Sequence, residues 1–296
     1  KTEKGRISDL SARVDLGGEV MHHDFFDGVE QVEAQLVGKE VKLPVFYRSA
    51  RAMTAVFPAT VLALKKLIPD PRYSPAQIAP GVGALHLTAF EYYDTDIEPY
   101  NEFAIGVLLN DPHILPVPGY NLLRQLIRMN FYTYIHHLPV NTEIALRGGI
   151  DIYNYPKFLA DIVYSDTAQD VTCDLSEKGD RILTLKGQKI NATRSGVMKY
   201  FCHLYQFKQL QGAEFKVNAI RYALIPAPGK VRLELGTSHP VAEELRRTLL
   251  TTQPLIYIYM PEIQCILYGP DHLSLPLLVR LLQENMGIPL EELAAR

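Results

Sequence analysis

The strongest constraint on this chain is a succession of short alternating segments joined by tight-turn signals. Val171 to Leu175 and Arg181 to Leu185 alternate polar and apolar residues and flank Glu177-Lys178-Gly179-Asp180. Side chains on a strand point to opposite faces with period two, so this pattern predicts a hairpin with one face buried. A second pair, Phe215 to Leu224 and Val231 to Leu235, is predicted around Pro226-Ala227-Pro228-Gly229-Lys230. Leu255 to Tyr259 and Ile263 to Tyr268 are rich in β-branched and aromatic residues, which favour strands. Tyr132 with Tyr134, and Tyr257 with Tyr259, fall at period two and read as sheet faces.

Helix signals are fewer. Ala59 to Ile68 follows Pro58, which suits a first helical position, and Pro69 stops it. Val241 to Leu250 carries Glu243 and Glu244 early and Arg246 and Arg247 late, as the helix dipole prefers. Asn121 to Met129 and Leu275 to Asn285 are further candidates. Many strands with few helices predict an α+β, mainly β fold: a closed or nearly closed antiparallel sheet with helices packed outside. Residues 1 to 40 are polar and mixed and read as an arm or lead-in, with residues 41 to 296 as one domain.

Composition narrows the function classes. A net charge of -3 without clustered Lys and Arg argues against nucleic-acid binding. No apolar run approaches the roughly twenty residues that cross a bilayer, so no membrane partner is expected. Cys173, Cys202 and Cys265 are odd in number and widely spaced, which points to a reducing, cytoplasmic setting. There is no Gly-x-Ser-x-Gly elbow, Walker loop or dinucleotide glycine fingerprint, and no cofactor is expected. His22-His23 and His136-His137 are adjacent pairs, whose side chains diverge on a regular strand or helix, so no metal site is expected.

The chemistry concentrates in Gly149-Ile150-Asp151-Ile152-Tyr153-Asn154-Tyr155-Pro156-Lys157-Phe158-Leu159. A lysine set among aromatic and apolar groups loses the water that stabilises an ammonium ion. A neutral amine is a nucleophile that condenses with a ketone to an imine. A snorkelling surface lysine is the competing reading of the same residues.

This segment resembles the active-site lysine motif of the acetoacetate decarboxylase family, with Gly149 and Asp151 at the matching glycine and acidic positions. Upstream, Glu98-Pro99-Tyr100-Asn101-Glu102 resembles the family's Tyr-x-Glu element. Arg51, ahead of Leu67-Ile68-Pro69-Asp70-Pro71, resembles its strand arginine, with Arg48 as rival because the alignment is one residue out of step. Leu233-Glu234-Leu235-Gly236 and Tyr259-Met260-Pro261 fit its late strands, so the resemblance spans roughly Val45 to Pro270.

The resemblance implies a β-cone or barrel, a homo-oligomer and a small keto-acid substrate. It also implies a cofactor-independent lyase with Lys157 as nucleophile, Glu102 as proton-handling carboxylate and Arg51 as carboxylate anchor. Tyr100, Tyr153, Tyr155, Phe158 and Leu87 are the expected substrate-binding residues. The chain departs from the family pattern at three places. Phe158 stands where decarboxylases carry a second lysine, Ile150 where the motif has arginine, and Leu87, beside His86, where a second glutamate is expected. Decarboxylation of a β-keto acid is the leading expectation. Aldolase-dehydratase chemistry on pyruvate-like oxo acids, or ligand binding without catalysis, are the alternatives.

Overall fold

Alternation along one strand explains the architecture. From Ala84 to Tyr92 the even positions His86, Thr88, Phe90 and Tyr92 face one way, and the odd positions Leu85, Leu87 and Ala89 join a different apolar cluster. Both faces are buried, which demands a layer of protein on each side of the strand. In a computed structural model of the chain, which describes residues 24–206 and 209–270, a closed barrel supplies one layer and a second sheet the other.

The first elements are β1 (Val32–Leu36), β2 (Lys39–Leu43), β3 (Val45–Thr60), α1 (Val61–Leu67), β4 (Gln77–Ala79) and β5 (Val82–Thr95). Then come β6 (Tyr100–Leu108), α2 (Tyr120–Arg128), β7 (Asn130–His137), α3 (Glu143–Tyr153), β8 (Asp161–Asp166) and β9 (Asp170–Glu177). The last are β10 (Asp180–Gln188), β11 (Arg194–Gln206), β12 (Gln209–Pro226), β13 (Val231–Leu235), α4 (Pro240–Thr248) and β14 (Ile256–Pro270). The chain divides into two units after Glu30, and β1 with β2 forms an antiparallel hairpin at the start of the second, over positions read from sequence partly as lead-in.

The barrel runs β3-β14-β12-β11-β7-β6-β5 and closes by β5 pairing back onto β3, with β4 on the edge of β5. Every pairing around it is antiparallel except β7 with β11. Its interior is filled from Ala52, Phe90, Ala104, Ile135, Phe215 and Ile258, among others. Against its outer wall lies the four-stranded sheet β13-β10-β9-β8, whose Leu175, Ile182 and Leu185 pack on Phe57, Leu87 and Phe103. No helix among the described residues is long and apolar enough to cross a membrane.

The β9–β10 hairpin forms where the alternation predicts it, with Lys178 and Gly179 both at positive φ in its turn. The second expected pair does not form. Both edges of β12 are taken, by β11 and β14, and the turn after Pro226 instead carries the chain to β10, where β13 pairs. Pro58 is not a helix start: it lies in β3 opposite Ala84, and Thr60 caps α1 by accepting from the Ala63 N–H. Pro240 does occupy the first turn of α4, with His239 as cap. Helix α3 had no expectation, because Gly148-Gly149 depresses helix propensity; buried Ile144, Ala145 and Tyr153 anchor it by packing. The expected helix at 275–285 and His22-His23 lie outside the described residues.

Candidate active site

The lysine is positioned by a chain of local decisions. Helix α3 ends at Asn154, which takes the left-handed conformation (φ 55) that asparagine tolerates better than most residues. The N–H groups of Asn154 and Tyr155 bond back to the helix, the latter to Gly149 O at 3.0 Å. Pro156 then sits in a tight turn closed by Lys157 N–H donating to Tyr155 O at 2.7 Å, a geometry that a fixed proline φ favours. Leu138 N–H to Pro156 O (3.1 Å) and Val140 N–H to Phe158 O (3.0 Å) tie the segment to the strand end beside it. The side chain of Lys157 folds back over α3, and a Cβ at Gly149 would collide with its Cδ and Cε. The glycine of the motif is thus the seat of the lysine stem.

Lys157 Nζ lies 2.8 Å from Glu102 Oε2, with only 5% and 10% of the two side chains exposed. Glu102 is on the inner face of β6, opposite Phe90 of β5. Its other oxygen faces the Tyr92 hydroxyl at 3.4 Å. Tyr47 and Tyr100 share a hydroxyl contact of 3.1 Å, and the Tyr100 ring lies 5.5 Å from Nζ. Burial pushes the hydroxyls of Tyr47, Tyr92 and Tyr100 well above the ordinary tyrosine range, and the charge of Glu102 adds to it. All three stay protonated, Tyr92 facing the carboxylate and Tyr47 and Tyr100 bonded to each other.

A cavity of about 60 Å³ opens beside this pair, lined by Lys157, Glu102, Tyr92, Tyr155, Leu267 and further aromatic and aliphatic side chains. Among the described residues, Lys157 and Glu102 are the only Lys, Arg, Asp or Glu that line it. A buried ion pair of this kind is costly to assemble and adds little to stability, so its place calls for a chemical reason.

The structure brings together Lys157, Glu102 and Tyr155 at the cavity, while Tyr100 has its ring near Nζ but does not line the cavity. Tyr153 stacks on Tyr155 at 5.5 Å and donates its hydroxyl to Leu267 O, but it does not line this cavity. Arg51, Leu87 and Phe158 are placed elsewhere. Period two turns Arg51 to the outer face of β3, where Nε meets Glu91 at 2.6 Å and the two amino groups clamp Asp166 at 2.9 and 2.7 Å. Burial opposes its charge, yet the bonds from Asp166 and Glu91 outweigh it and raise its pKa, while Asp166 is held at about 2 by Arg51. Arg48 pairs with Asp96 at 2.7 Å and is also absent from the lining. Leu87 is fully buried in the outer cluster, and Phe158 packs on that cluster beside His137.

His86, one residue from Leu87, is the side chain that faces inward. Its Nε2 meets Thr133 Oγ1 at 2.8 Å and its Nδ1 meets Thr88 Oγ1 at 3.1 Å. Thr133 donates onward to Val107 O, so it accepts from Nε2–H, and Nδ1 accepts from Thr88. Burial pushes the imidazole down to about 4. Gly106 makes room for this ring, since any Cβ there would meet Nε2. Tyr47, His86 and Tyr92 carry no sequence expectation as site residues, and Cys202 reads from sequence as core packing. The even positions of β5, where His86 and Thr88 fall in line with Phe90 and Tyr92, are the signal that marks His86 and Tyr92; Tyr47 and Cys202 lie on other strands and have no such mark. Burial pushes the Cys202 thiol up to about 12, and its neighbour His203 turns to the opposite side of β11 against Tyr73.

His136 and His137 converge rather than diverge. Lying at the end of β7, both bring Nε2 to Glu244 Oε1 of α4, at 2.8 and 3.0 Å. These are the only three side chains among the described residues whose donor atoms gather closely enough for a metal ion. A ligating imidazole is ordinarily oriented through its second nitrogen, and His136 Nδ1 is buried without a partner. Burial pushes the Glu244 carboxyl up, but the two histidine bonds prevail and hold it at about 2.

The family model described as acetoacetate decarboxylase (ADC) matches residues 34–247. No curated protein sequence matches the chain. Among solved structures, the chain is similar to an acetoacetate decarboxylase (14% identity, 77% of this chain and 87% of that one, TM-score 0.51). It is also similar to an acetoacetate decarboxylase from Legionella pneumophila (10% identity, 78% and 87%, TM-score 0.56). A third is the enduracididine biosynthesis enzyme MppR complexed with pyruvate (11% identity, 78% and 90%, TM-score 0.51). At these identities the likeness is one of fold.

Proposed function

The chain belongs to the acetoacetate decarboxylase family, and from that premise we propose that it is a cofactor-independent Schiff-base lyase that decarboxylates a β-keto acid on Lys157. The observation that carries this reading is the contact between Lys157 Nζ and Glu102 Oε2 inside an apolar cavity.

Moving one proton across that 2.8 Å contact leaves a neutral amine and a carboxylic acid. The amine attacks the keto carbon, and Glu102 protonates the departing hydroxyl, so water leaves and a protonated imine forms. The bond from the α-carbon to the carboxylate then breaks, its electron pair moves into the new carbon–carbon double bond, and the iminium nitrogen is neutralised. Carbon dioxide departs. Glu102, left as a carboxylate, regains a proton from solvent and passes it to the α-carbon of the resulting enamine, and water hydrolyses the imine to return the ketone and Lys157. The aromatic walls favour loss of charge: an anionic carboxylate is poorly held there, and neutral carbon dioxide is not.

The same imine serves an aldolase-dehydratase on pyruvate-like acids, and MppR was solved with pyruvate. That chemistry keeps the substrate carboxylate throughout and calls for a cation to hold it. Among the described residues the only Lys or Arg lining the cavity is Lys157, which the imine consumes, and this favours decarboxylation.

Borohydride reduction in the presence of a β-keto acid should add the mass of the reduced ketone adduct at Lys157, and Lys157→Arg should abolish both adduct and turnover. Turnover retained in Lys157→Arg, or no adduct with any keto acid tried, would overturn the reading.

A further inference from the structure

The barrel interior holds a second and larger cavity, about 280 Å³, at the α2 end. Its walls include Val56, Ala84, Leu108, Leu122, Leu126 and Phe131. It meets the Lys157 cavity at His86 and Tyr200, the only side chains among the described residues that line both. The polar groups on this wall are already engaged: His86 with two threonines, Thr54 with Thr88 at 3.0 Å, and the Tyr200 hydroxyl with Met198 Sδ at 3.6 Å. What remains to face a ligand is methyl, methylene and ring carbon. On the far side Leu123 of α2, half exposed, forms the rim, so the space opens outward past the helix.

The two spaces are aligned along one strand. Glu102, Ala104, Gly106 and Leu108 share the inner face of β6, and from Glu102 at the first cavity to Leu108 at the second is roughly 20 Å of strand. The His86 ring lies over Gly106 midway along this face, so a chain running from Lys157 toward α2 has to pass His86 and Tyr200, the two side chains the cavities share. At about 30 Å³ per small group, the second cavity takes roughly nine non-hydrogen atoms.

We propose that this cavity holds the alkyl chain of a long-chain 3-oxo acid, whose keto carbon reaches Lys157 while its tail passes His86 and Tyr200 toward α2. The product is then carbon dioxide and a long-chain methyl ketone. This rests on the lyase reading above and names its substrate class.

Turnover of 3-oxo acids from acetoacetate up to chains of about fourteen carbons tests it. The expected kcat/KM rises about threefold or more per added methylene until the cavity is filled, then flattens. Leu126→Trp and Ala84→Leu, each filling the space from a different wall, should lower the long-to-short ratio of kcat/KM at least tenfold. A flat chain-length profile in wild type, or a ratio that neither variant moves, would overturn the proposal while leaving the lyase reading intact. Calorimetry of wild-type protein with 2-undecanol, which has the tail and no carbonyl, reads the cavity without imine chemistry. Binding with a negative heat-capacity change supports the tail site even if no acid is turned over, and no binding overturns it.

Discussion

A single buried imidazole sets an acid limit on this fold. The unfolded His86 ring takes up its proton near pH 6.5, whereas the folded ring, stripped of water, does so only near 4. Between those values the unfolded state holds more protons, so stability falls as pH falls through that window. The loss should reach about 3 kcal/mol by the lower end. Urea unfolding of wild type and His86→Gln across this range should show that slope in wild type and a shallower one in the variant. Equal slopes would mean that the ring is hydrated. Lys157 stands out in sequence because a lysine is unusual among aromatic and apolar neighbours, whereas Glu102 is reached only through the resemblance of its Tyr-x-Glu element. Sequence left His86 in the shadow of Leu87, since counting residues locates a strand position but not the face it presents. Arg51 failed to reach the cavity for the same reason: Ala50 and Ala52 beside it point inward, and it points out to Glu91 and Asp166.

At the scale of the element, α3 is an instrument for placing one amine. Its Gly148-Gly149 pair costs helix stability, and Gly149 repays that cost only through the space it leaves for the Lys157 stem. Gly149→Ala should therefore strengthen the helix by as much as about 1 kcal/mol and yet displace the lysine. Turnover should drop on the order of 100-fold, as expected for a misplaced reacting group. Kinetics read alongside urea unfolding checks this, and wild-type turnover from the alanine variant would show that the lysine stem sits elsewhere. The motif glycine was legible as a resemblance long before its steric reason was. The helix itself was not, because its formation depends on burying Ile144, Ala145 and Tyr153 against neighbours distant in sequence.

At the scale of the whole molecule, the barrel wall separates the core that lines the Lys157 cavity from the core that supports the second sheet, with a third, smaller cluster at the second cavity. Leu87 belongs to the core that supports the second sheet. Leu87→Ala should cost about 3 kcal/mol in urea unfolding, with the KM for keto acids unchanged in the folded protein. A raised KM without lost stability would return Leu87 to the site. Hairpin β9–β10 was written in local turn chemistry, whereas the partners of β12 and β13 were not, because edge availability is settled only when distant strands arrive.

That dependence on distant strands bears on when the amine becomes reactive. The barrel is sealed by β14 on β3, where Val56 pairs with Ile256, and β14 also delivers Leu267 to the wall of the Lys157 cavity. Contacts so far apart along the chain form late, after a large loop-closure cost has been met. Until then Lys157 lies open to water and apart from Glu102. On the proposed reading the fold acts as an interlock: the Lys157–Glu102 contact and the wall around it are assembled by the same event that finishes the protein, and an incomplete chain has no such site to present.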